Sequence, residues 1–228
     1  MPYEEAAEPL EASPIACELL GLVGCGELFA FETLAADATR TSILEIKAAL
    51  GSRACREFRN FEKVADRLRA MGADPDAAIG AYVPTMTEFH RHTAPRDLYE
   101  GLVKAYVGDG ITSDFGRELS NYADPGTREF VAELLEETGQ AEFVVPFVRK
   151  ALSKNPGLEG RLALWGRRLI GEALAQTQRL TADREELSVL LVGTPDQPGR
   201  GDLAEFARML ARMTDAHTAR MKKLGLAS

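Results

Sequence analysis

"REFRNFEKV", residues 56–64, sets a glutamate, Glu57, three places before an amide, Asn60, among residues spaced for burial. Leu50, Ala54, Glu57, Phe61, Val64 and Leu68 recur in steps of four and three. At 3.6 residues per turn these six share one helix face, and five of them are apolar. An isolated buried carboxylate is too costly to keep, so the acid in this stripe must be paired, protonated or bound to a cation.

Some eighty residues later "ETGQAEF", residues 137–143, repeats the arrangement, with Glu137 followed at i+3 by Gln140. The surrounding stripe is Phe130, Leu134, Glu137, Ala141, Val144 and Val148, again with the acid in third place. The stretches before these two carry matching stripes with the acid fourth. They are Ala16, Leu20, Val23, Glu27, Ala30, Leu34 and Leu98, Leu102, Ala105, Asp109, Thr112, Gly116. The pattern predicts a helical hairpin used twice, each copy supplying one lone acid and one acid paired with an amide.

Around these hairpins the chain is long helical text with sparse punctuation. Helices are expected at about 14–38, 42–71, 96–122, 126–153, 157–189 and 201–224, with stops at "MGADPD", "YADPGT", "KNPGLEG" and "GTPDQPGRGD". "AIGAYVPTMTEFHRHTAPRD" reads as a long irregular crossover between the hairpins, and Pro146 should kink the fourth helix or remove one of its hydrogen bonds. The expected architecture is all-α: an acidic tail over 1–13, then one domain over 14–224. Within it, a four-helix core over 14–153 is joined by a C-terminal helical pair over 157–224.

Four inward acids arranged two and two point to a shared purpose. A bundle can hold two metal ions with one Glu from each of two helices and a Glu-x-x-His from each of the others. Here the histidine places hold Asn60 and Gln140, and one glutamate place holds the shorter Asp109. An amide oxygen is a poor iron ligand, and an all-oxygen set suits Mg, Ca or Mn better. The residues alone leave three readings open: a proton-sharing polar core, a divalent-metal site, and a di-iron centre.

"GLVGCGELFAF", "REFRNFEKVADRL", "LVKAYVGDGITSDF", "ETGQAEF" and "GRLALWGRRLIGEALAQTQRL" together resemble the actinobacterial ferritin-like fold proteins. That group is related to the tRNA hydroxylases acting on methylthio-isopentenyl adenosine. The likeness spans about 14–224 and implies a ferritin-like bundle of the di-iron carboxylate superfamily. It places the family's ligands on Glu27, Glu57, Asn60, Asp109, Glu137 and Gln140. With both histidines replaced, it implies a degenerate site and a binding or structural role. The competing expectation is a di-iron or di-manganese oxygenase or hydroxylase, with modified tRNA as its substrate. The cofactor is then either absent or a divalent metal (Fe, Mn, Mg or Ca), and a homodimer through the C-terminal helices is expected.

Composition narrows the partners. A net charge of −8 and a pI near 5.1 disfavour nucleic acid held through a general basic surface, leaving tRNA only through a local patch of Arg161, Arg167 and Arg168. Cys17, Cys25 and Cys55 are too few and too irregular for a disulfide framework, and read as buried free thiols. With no apolar leader and no apolar run of spanning length read from the sequence, a soluble, cytoplasmic protein away from membranes is expected. His90 and His92 are expected to be solvated, His217 to be a satisfied core-edge histidine, and Glu172 to be a reserve ligand or a partner of Arg168.

Overall fold

A computed structural model describes residues 13–136, 140–192 and 202–226. Among these every regular element is helical. Helix α1 (Pro14–Thr39) begins with proline in its first turn, where a missing N–H costs nothing, and α2 (Leu44–Ala70) folds back along it after a short link. Gly72, at φ +76°, supplies the left-handed residue that ends α2. After α3 (Pro75–Gly80) and α4 (Val83–His92) comes the central α5 (Leu98–Ser120). Asp97 caps α5 by accepting the Glu100 N–H at 2.9 Å. The next two helices are α6 (Pro125–Leu134) and α7 (Gln140–Lys154). They are followed by α8 (Gly157–Asp183), α9 (Glu185–Leu191) and α10 (Leu203–Leu224).

Helix α1 packs chiefly on α2 and also on α5, while α5 in turn meets α6, α7, α8 and α10. The bundle is therefore built from α1, α2, α5 and the α6–α7 pair, with α8 and α10 laid against α5. Its stripes face inward as the spacing predicts: Leu20, Leu34, Leu50, Val64, Leu68 and Leu102 are all buried. Close contact of α1 with α3 depends on Gly21, where a Cβ would run into the Ala78 carbonyl. A node joins α1 to the residue that follows α8: Glu18 accepts from Tyr82 Oη at 2.5 Å and from Arg184 Nε at 2.7 Å. The Arg184 guanidinium also lies over the Tyr82 ring.

Several expectations need correction. The crossover is not irregular, since α3 and α4 occupy most of it; Pro75 and Pro84 sit where helices start rather than where they break. The fourth helix stops at Leu134, well before Pro146, so that α7 is a separate helix. The fifth ends at Asp183. Cys55 is exposed, not buried. Helix α1 does reach the length and composition of a membrane span, with a mean hydropathy of 1.6, although many of its apolar side chains are buried against its neighbours.

Candidate functional site

Glu27 reaches inward from α1, Glu57 and Asn60 from α2, and Asp109 from α5, all around one cavity of about 240 Å³. Glu57 is only 1% exposed, and Glu27 and Asn60 are 7% exposed. Tyr106, Ser113, Glu136 and Glu142 line the same space, together with two arginines, Arg53 and Arg220.

The Glu27 and Glu57 side chains line the same cavity, so that each carboxyl raises the cost of ionising the other. Burial pushes the Glu27 carboxyl well above the usual carboxylate range. The neighbouring Glu57 carboxyl and the charge of Asp109 push the same way, and the hydrogen bond from Asn60 opposes them. Asn60 Nδ2 donates to Glu27 Oε2 at 3.2 Å and to the Leu134 carbonyl at 3.4 Å. The amide thus joins the acid pair to an orphan carbonyl at the C-terminus of α6. Arg117 serves the adjacent Leu135 carbonyl in the same way.

Arg53 stands one turn before Glu57 on α2. Its guanidinium contacts the Glu57 carboxylate and donates from Nη2 to Asp109 Oδ2 at 2.9 Å. Burial raises Asp109 to about 6 and the charge of Glu57 adds to this, while Arg53 and Arg220 pull it down. Arg220 arrives from α10, lies over Gly110 where a Cβ would collide with it, and donates to both Asp114 oxygens at 2.7 Å. The sequence reading missed both arginines. Arg53 had a local signal, the Arg-to-Glu spacing of four in "RACRE", whereas the pairing of Arg220 with Asp114 crosses the chain and leaves none.

As placed, the described residues do not fit a dinuclear metal centre. A guanidinium sits against both Glu57 and Asp109, and the amide at position 60 points its N–H₂ group, not its oxygen, at Glu27. Among the described residues no three His, Cys, Asp or Glu side chains gather as a metal-ligand group. Glu137 lies outside the described residues; Gln140 opens α7, and its side chain also lies outside them.

The other candidates stand away from this cluster. His90 is not solvated: it is half-buried on α4, with Nδ1 3.1 Å from both Thr33 Oγ1 and Lys104 Nζ, and burial lowers it to about 3. His92 pairs with Glu172 at 2.8 Å, so Glu172 is neither in the acid cluster nor paired with Arg168. His217 is 2% exposed, and neither ring nitrogen has a hydrogen-bond partner among the described residues, contrary to expectation. Trp165 is buried, and Arg161 is engaged with Asp97 and Glu100 at 2.6 and 2.8 Å.

Residues 13–194 match the family model of the ferritin-like domain of actinomycetes. No curated protein matches the chain. Helix α10, which carries Arg220 and His217, lies beyond the matched stretch.

Proposed function

The chain belongs to the family of ferritin-like domains of actinomycetes, and from that premise we propose a member whose metal site has been taken over by the side chain of Arg53. One observation carries this reading: the guanidinium lies against Glu57 and Asp109, where a bound cation would otherwise balance them. The amide at Asn60 supports it by donating to the acids instead of ligating. The protein then acts through its fold and its polar cavity as a binding or structural protein, not as a dioxygen-activating hydroxylase. Of the three arginines that would have to meet a tRNA, Arg161 is committed to Asp97 and Glu100, while Arg167 and Arg168 are exposed.

Elemental analysis after anaerobic reconstitution with ferrous iron tests the proposal. The wild type should hold no stoichiometric iron. Arg53→Met should bind divalent metal measurably better, because the competing charge is gone. About two irons per chain in the wild type, lost on Glu27→Ala with Glu57→Ala, would establish the hydroxylase reading instead.

A further inference from the structure

A second cavity, of about 60 Å³, shares the acids Glu27, Glu57 and Asp109 with the first and is otherwise lined by residues that include Leu34, Met86, Phe89, His90 and Lys104. Lys104, on α5, is 5% exposed. Its ammonium has no carboxylate within salt-bridge distance among the described residues. Its contacts are the Thr93 carbonyl at 2.8 Å, His90 Nδ1 at 3.1 Å and the face of Phe89, 5.5 Å from the ring centre. A buried amine that forgoes an ion pair and faces an apolar cavity has the surroundings in which lysine turns nucleophilic.

We propose that Lys104 is a covalent binding site for a small aldehyde, held as an imine. The neutral Nζ adds to the carbonyl carbon. The nitrogen then loses its protons, the carbonyl oxygen leaves as water, and one C=N bond replaces the C=O without oxidant or reductant. The proton that leaves the nitrogen passes to the departing hydroxyl, while His90 Nδ1, 3.1 Å from Nζ, orients the amine. Burial lowers Lys104 to about 8, against a smaller opposing pull from Asp37. The cavity admits roughly four to six non-hydrogen atoms, taking 10–15 Å³ for each water-sized centre. The ordinary alternative is that Lys104 only satisfies the carbonyl at the end of α4.

Incubation with propionaldehyde and cyanoborohydride near neutral pH, followed by peptide mapping, separates the two. Lys104 should be alkylated about tenfold faster or more than the exposed Lys47, Lys63 and Lys222. Ala30→Leu, which fills the cavity without touching the contacts of Lys104, should bring that rate down to the level of the exposed lysines. Labelling of Lys104 no faster than the exposed lysines overturns the proposal, and so does fast labelling that Ala30→Leu leaves unchanged.

Discussion

Between Asn60 and Arg53 the site is wired by donors, and its energetics follow from which partner is left alone. Removing Arg53 strands Glu57 and Asp109 in a poorly solvated space, so Arg53→Met should cost about 3–5 kcal/mol in urea denaturation. Adding Glu57→Leu to it removes the stranded charge and should recover most of that loss. If the double variant is no more stable than the single one, Arg53 does not act through Glu57. His217 shows the opposite economy. Its buried ring has no partner among the described residues, and burial, together with the charge of Arg220, lowers it to about 4. The unfolded chain therefore binds more protons than the native one between about pH 4 and 6.5, and the native state loses stability as pH falls through that window. His217→Leu should be more stable than the wild type at neutral pH by about 1–2 kcal/mol. The gap should widen on acidification, and parallel denaturation series at the two ends of the window would show it.

Helices in this chain are set by local text, but one break, at the end of α6, is served by side chains that reach over from elsewhere. The stripes through Glu27, Glu57 and Asp109 could be read from the sequence because a period of 3.6 is a local property. The end of α6 at Leu134 could not be read, because the apolar spacing runs on through Glu137 and Ala141 while Asn60 and Arg117 satisfy the carbonyls of Leu134 and Leu135 from other helices. The same blindness hid Arg220, whose place over Gly110 is a matter of how α10 lies on α5. Two glycines test this element by element. Gly51, inside α2, has open space around it, so Gly51→Ala should stabilise by about 0.5–1 kcal/mol. Gly110→Ala forces the guanidinium off Asp114 and should cost about 1–3 kcal/mol. Thermal melts of the pair should shift in opposite directions; equal shifts would mean that α10 is not clamped to α5 at this point.

For the whole molecule, the all-α ferritin-like fold was legible in the helical spacing of the apolar stripes, and the family match agrees with it. What the cavity holds was not legible, since its charge balance depends on Arg53 and Arg220 meeting acids across helices. Assembly follows the same logic. The homodimer through the C-terminal helices remains a proposal, supported by Leu164 on α8 at 63% exposed and Leu203 on α10 at 68%. Leu164→Glu with Leu203→Glu should turn a dimer into a monomer in sedimentation, and an unchanged dimer would place the contact elsewhere.

The node at Glu18 bears on how the chain is made. Arg184 follows Glu18 by 166 residues, so at synthesis rates of about 5–20 residues per second the clasp cannot close until about 10–30 s after Glu18 is joined to the chain. By the end of that interval α2, α3, α4 and α5 have all been made, and of the helices packed on α1 the last to come is α9. The last part of α1 to be covered is therefore the face that carries Glu18. Slowed translation between α5 and α9 would leave that face of the most apolar helix open for longer.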